Sequence, residues 1–180
     1  MVFYTLSALA YQGITMTIET MYELFEHELK DIYYAEKHLV KTLGDLAKSS
    51  QSRPQKVAMR EHLKETKEQV KRLKKVFKIA DIKEGTQVCH AILGIEKEKK
   101  VFDRRKPDRF HNDMFILSSA MKTEHYEIAS YQNLIMLAAA LKLPQAVDLL
   151  RMNMDEEIEA LQRLHTIEQH MLDHAAVHIS

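Results

Sequence analysis

Four stretches of this chain, at about 17–49, 53–80, 109–142 and 144–173, repeat apolar residues three and four positions apart, the spacing of one helix face. With only four Gly and three Pro in 180 residues, little interrupts them. The starts are marked. Thr20-Met-Tyr-Glu23 and Ser52-Arg-Pro-Gln55 both have the capping-box pattern, in which a hydroxyl and a side chain three residues on satisfy orphan backbone N–H groups. Pro54 falls in a first turn, where its missing N–H costs nothing, and Pro144 ends one helix and opens the next. Short breaks within each pair force two antiparallel hairpins. Between the pairs lies a crossover of about 28 residues. It weakens at Lys83-Glu-Gly85-Thr, holds a short helix at about Val88–Phe102, and ends in the charged loop Asp103–Asp108.

Hairpin, long crossover and hairpin make an all-α fold with the connectivity of a ferritin-like four-helix bundle. The length fits one domain, expected at 17–174, with residues 1–16 an N-terminal extension ahead of it and 175–180 a tail. A secretory signal fits residues 1–16 poorly, because no basic residue precedes their short apolar stretch. No apolar run reaches the roughly 20 residues of a membrane-spanning helix. Lys plus Arg and Asp plus Glu are 26 each, so no basic field draws nucleic acid or an anionic membrane. The single Cys89 suits a reducing cytoplasm and offers no thiolate metal site. Neither a Gly-rich phosphate loop nor a nucleophile elbow occurs, so nucleotide-dependent and hydrolytic chemistry lack their apparatus.

Each apolar stripe is interrupted by acid. The first runs Phe25, Leu29, Ile32, Glu36, Val40, Leu43, Ala47. The second runs Ala58, His62, Glu65, Gln69, Leu73, Val76 and Ala80. The third places Glu124 and Glu127 between Ala120 and Tyr131, and the fourth places Glu157, with Glu156 beside it, between Met154 and Leu161. A buried carboxylate needs a partner or a cation, and Lys and Arg are scarce on these stripes. Two divalent ions would compensate the group, and oxygen-rich ligation with one imidazole suits iron or manganese. Other candidates have plainer readings. His170, His174 and His178 fit a solvent-facing helix end, and His125 either orients a ligand or sits in the core. Tyr33, Tyr34, Tyr126 and Tyr131 read chiefly as interhelical packing beside the acids.

The segments LFEHELKDIYYAEKHL (Leu24–Leu39), EHLKETKEQVKRLKKVF (Glu61–Phe77), KTEHYEIASYQNL (Lys122–Leu134) and AVDLLRMNMDEEIEAL (Ala146–Leu161) resemble the YciE/YciF-like family, a domain of unknown function in the ferritin-like superfamily. The resemblance covers about residues 17–170. It implies a homodimer, a rubrerythrin-like dinuclear metal site and a link to bacterial stress responses. Carried over by position, that site falls on Glu36, Glu65, Glu124 or Glu127, and Glu156 or Glu157, with His62 a ligand or its support. The usual ferritin-like Glu-x-x-His is absent, and helix two has the reverse, His62-x-x-Glu65. A carboxylate-rich iron or manganese pair is therefore expected, oxidising Fe²⁺ with O₂ or peroxide, or removing peroxide. The alternative is a metal-free, stress-induced dimeric scaffold whose buried acids are neutral or hydrogen-bonded to Tyr, Gln69 and His62.

Overall fold

A computed structural model describes residues 18–175, with five helices and no strand among them. They are α1 (Met21–Ser49), α2 (Arg53–Ile79), α3 (His90–Asp103), α4 (Arg109–Ala140) and α5 (Pro144–Ala175). The extension at residues 1–16, the side chains of His174 and His178, and most of the tail lie outside what is described. α1 packs on α2 and α4 on α5, and the two hairpins meet through α2–α5 and α1–α4, while α3 lies on α4. This is the ferritin-like bundle, with the long crossover carrying α3. Among the described residues no helix is long and apolar enough to cross a membrane.

The helix ends follow from local chemistry. Thr20 and Glu23 form the full capping box. Ser52 accepts from Gln55 N, but Gln55 does not complete the second box. Its buried amide instead donates to Asp113 O at 2.8 Å, across the bundle, because the start of α4 offers a carbonyl within reach. The Asp113 carboxylate in turn accepts from Gln51 N and Ser52 N, both at 2.8 Å, so one residue of α4 closes the α1–α2 loop. Gln55 also approaches Met171 Sδ at 3.4 Å, which brings the end of α5 to the same end of the bundle.

α2 and α4 end in Schellman motifs: Ile82 N bonds Phe77 O at 2.9 Å, and Leu143 N bonds Ala138 O at 3.0 Å. Both need a left-handed residue, and here Asp81 (φ 55°) and Lys142 (φ 59°) take the place glycine usually fills. Lys142→Gly is therefore expected to stabilise the protein by about 0.5–1 kcal/mol, read as a rise of roughly 2–4 °C in the thermal midpoint.

The core is built from Phe25, Leu29, Ile32, Leu73, Phe77, Ile116, Leu134 and Leu150, all essentially without solvent exposure. The stripes differ from the sequence expectation by single steps. Leu39 is buried and Val40 only partly so, Thr66 is buried and Glu65 only partly so, and Ala160 is buried where Leu161 was expected. Spacings of three and four both keep a residue on one face, and packing against the neighbouring helix chooses between them.

Candidate metal centre

Halfway along the bundle the polar interruptions of the stripes converge. His62 of α2, Glu124 and Glu127 of α4, and Glu157 of α5 each offer a donor atom lying within 4.8 Å of the others. His62 and Glu124 are 4% exposed, and Glu127 and Glu157 are fully buried. The helical period explains the grouping: Glu124 and Glu127, three residues apart, share one face of α4. His62 Nε2 stands 3.5 Å from Glu124 Oε2 and 3.6 Å from Glu157 Oε2. Its other nitrogen, Nδ1, faces Glu65 Oε2 at 3.4 Å, which orients the ring toward the acids.

Glu36 of α1 is fully buried too, and its proton affinity responds to the charges of Glu157 and His62. Tyr131 OH donates to Glu36 Oε1, and Asn153 Nδ2 donates to that phenol oxygen at 2.8 Å. Gln69 Nε2 holds Glu157 Oε1 at 2.6 Å. Tyr131→Phe would leave one Glu36 oxygen without its donor and the Asn153 amide with only its longer bond to Gln69 O at 3.5 Å. A loss of about 1–3 kcal/mol is expected, measurable by denaturant titration of the metal-free protein.

The remaining two acids differ in kind. Glu65 is partly exposed and accepts from Arg163 at 2.5 Å. Glu156 turns to the edge of the bundle, where Arg72 donates to it, and Arg72 Nε also donates to Asn153 Oδ1 at 2.5 Å. Glu65 and Glu156 thus each have an arginine of their own, whereas among the described residues Glu36, Glu124, Glu127 and Glu157 have no arginine at ion-pair distance. Glu36 Oε2, Glu124 Oε2, both Glu127 oxygens, Glu157 Oε2 and His62 Nε2 are buried without a hydrogen-bond partner. Native interiors rarely leave such groups unpaired, and a cluster of them around one point has the character of a site for a cation.

Proton affinities follow from this crowding. Burial raises the Glu124 carboxyl to about 8. Glu127 rises well above the carboxylate range through burial, then through the charges of Glu157 and Glu36. Glu36 rises through burial and Glu157, with Tyr131 opposing. Glu157 rises through burial and Glu124, with His62 opposing. Burial pulls His62 down, but Glu65, Glu157 and Glu36 outweigh it and leave its proton more tightly held than usual. Glu65 is held low by its hydrogen bond to His62 and by Arg163. Four ionised carboxylates carry four negative charges, which two divalent cations would balance. The donors are oxygen-rich with one imidazole and no thiolate, since Cys89 Sγ is engaged with Tyr126 OH at 3.0 Å. Such a set could hold a divalent metal ion.

The family described as "Domain of unknown function (DUF892)" matches residues 20–176. The chain belongs to this family. It is similar to protein YciF of Escherichia coli K12, with 34% identity over 144 residues, 79% of this chain and 86% of that protein. The crystal structure of the E. coli stress protein YciF superposes with a TM-score of 0.82 at 30% identity, over 87% of this chain and 99% of that one. YcfI of Rhodopseudomonas palustris, provisionally described as a structural protein, gives a TM-score of 0.81 at 36% identity, over 84% of this chain and 97% of that one.

For this DUF892 chain, sequence reading missed Asn153, Arg72 and Arg163. Asn153 had a signal, since it lies four residues before Glu157 on the same face, is fully buried, and takes the place Met154 was expected to hold. The arginines had none, because their pairing crosses from one helix to another. His125 is exposed, so it neither orients a ligand nor lies in the core: one step from Glu124, it projects about 100° further round α4, toward solvent. His170 is exposed as well. Tyr131 holds Glu36, Tyr126 donates to Asp31, Tyr33 donates to Glu84 Oε1 at 2.6 Å, and Tyr34 stacks on His38.

Proposed function

We propose that this protein is a carboxylate-bridged metal protein binding two iron or manganese ions between α1, α2, α4 and α5. Glu36, His62, Glu124, Glu127 and Glu157 would be the ligands, and Glu65 and Glu156 would act from outside. The observation that carries the reading is the cluster of buried acids, five of whose oxygens have no hydrogen-bond donor. Bound iron or manganese would supply redox chemistry toward O₂ or peroxide, either oxidising Fe²⁺ or removing peroxide. The chain's own residues prepare the site. Glu65, itself anchored by Arg163, orients the imidazole of His62 so that Nε2 faces the acids. Gln69 fixes one oxygen of Glu157 and Tyr131 one oxygen of Glu36, leaving the second oxygen of each to bind or bridge.

A stress-related role accords with the likeness to the E. coli stress protein, and a cytoplasmic homodimer is proposed with it. A second reading, a metal-free scaffold, draws on the description of the R. palustris relative as structural. Metal analysis separates them. Protein purified without chelators from iron- and manganese-replete cells is expected to hold about two ions per chain, and Glu127→Ala combined with Glu157→Ala to hold none. Wild-type protein without bound metal, and unchanged in thermal midpoint when either ion is added, would establish the scaffold reading instead.

A further inference from the structure

Beneath α3 lies a cavity of about 330 Å³, walled by α1, α3 and α4, that reaches His62 and Glu124 at its inner end. Its origin is topological. α1 and α4 pack less extensively against one another than the two helices of either hairpin do, and α3 covers that seam while packing chiefly on α4. The crossover is tied to α1 at Gln87 N to Lys30 O, 3.1 Å, and at His38 Nε2 to Glu96 Oε2, 3.0 Å. From the second tie toward the end of α1 the space is lined by Leu39 and Leu43, with Ile92 and Ala120 opposite.

The polar groups of the lining narrow what fits. At the mouth, Glu96 is engaged by His38 and by Lys100 at 2.5 Å, and Lys99 by Asp103. No charge there is left over to select an ionic ligand. Thr42 donates to His38 O at 3.3 Å and Thr123 to Ser119 O at 3.1 Å, so both hydroxyls are spent on their own helices. Ser119 differs. It is 6% exposed, lines the cavity, and its Oγ has no partner. A buried hydroxyl without a partner at the wall of an apolar space is unfavourable, and a turn about its Cα–Cβ bond to another staggered rotamer would present it to a molecule in that space.

We propose that this cavity binds a neutral, largely apolar organic molecule bearing one hydroxyl or carbonyl group, which pairs with Ser119 and brings the molecule beside His62 and Glu124. Since an apolar cavity of roughly 150 Å³ takes benzene, there is room for about two fused rings. The position beside a metal rests on the function proposed above, but binding itself does not.

2-Naphthol is a suitable probe, titrated calorimetrically into the metal-free and the Mn²⁺-loaded protein, with metal content measured separately on each preparation. Saturable one-to-one binding to both forms is expected. Ser119→Ala should weaken 2-naphthol about 5-fold, the loss of one hydrogen bond, and leave naphthalene unchanged. Ala120→Phe, checked by circular dichroism for a native melt, should weaken both more than about 10-fold by filling the space. Naphthalene-2-sulfonate should bind at least about 10-fold more weakly than 2-naphthol, because the lysines at the mouth are already paired and burying its charge in the apolar space is costly. Naphthol proton resonances should broaden in the Mn²⁺-loaded protein. Absence of saturable binding to metal-free wild type, or equal binding by wild type and Ser119→Ala, would overturn the proposal, as would tighter binding of the sulfonate. Metal uptake without naphthol binding would defeat the cavity proposal alone, and naphthol binding without metal uptake the metal reading alone.

Discussion

Glu127→Gln is expected to raise the thermal midpoint of the metal-free protein at pH 7.5 while abolishing the stabilisation that metal confers. Glu127 is fully buried and neither carboxylate oxygen has a hydrogen-bond donor, so in the absence of metal burial and the neighbouring acids favour its protonated form in the folded state. The unfolded chain ionises freely above about pH 4.3. Folding at pH 7.5 therefore takes up a proton against the prevailing pH, at about 1.4 kcal/mol for each pH unit between. Glutamine removes that cost, less the cost of burying its amide. A net gain of about 2 kcal/mol, or roughly 4–8 °C, should appear at pH 7.5 and vanish near pH 4.5. Wild-type protein should gain about 4 kcal/mol from metal present at a thousandfold excess over its dissociation constant, and the variant should gain little. Scanning calorimetry with and without Mn²⁺ measures both. A residue kept at the expense of stability is the signature of a functional group, and equal destabilisation of both forms by the substitution would mark Glu127 as structural.

Stability of the metal-free protein should fall as pH rises from about 5 to 8.5. The buried carboxyls of Glu36, Glu124, Glu127 and Glu157 have folded-state affinities raised above their unfolded values, Glu124 to about 8. Their contribution is fully present below the unfolded carboxyl pKa and is lost as pH climbs through the folded one. His62, also raised, acts in the same direction above its ordinary value of about 6.5. Glu65 is lowered and acts oppositely, with its contribution lost only as pH falls below the usual carboxylate range. Metal reverses the trend, since ligands bind it deprotonated, so the midpoint increment given by Mn²⁺ should grow over the same interval. Thermal melts across that range, with Mn²⁺ or with chelator, test the pair of slopes. A metal-free midpoint that is flat or rising between pH 6 and 8.5 would mean that the acids are already compensated.

What the sequence disclosed, and what it did not, divides along a physical line. Helix starts at Thr20, Ser52 and Pro144 were legible because capping and proline chemistry are local. Bundle connectivity was legible because short and long breaks dictate which helices are neighbours. The convergence of His62, Glu124, Glu127 and Glu157 was foreshadowed by polar residues on apolar stripes, since each stripe faces a common core. The choice between Glu156 and Glu157 was not legible from one helix alone. It depends on Arg72, a residue of α2 that captures Glu156 at the bundle edge and leaves Glu157 inside. Arg163 draws on Glu65 in the same way. The cavity under α3 was equally invisible, because it is a property of how a crossover drapes over a seam rather than of any segment. Ser119 gave no hint in sequence, being a small residue on a long helix, and only its burial without a partner marks it.

Anomalous diffraction from crystals of the full chain grown with Fe²⁺ or Mn²⁺, recorded on either side of the metal edge, addresses the metal centre most directly. Two peaks are expected in the bundle interior, bonded to His62 Nε2 and to carboxylate oxygens of Glu36, Glu124, Glu127 and Glu157, and absent from crystals of Glu127→Ala combined with Glu157→Ala. An interior without anomalous density at saturating metal, or peaks confined to surface acids such as Glu68 and Asp108, would contradict a metal centre at this cluster.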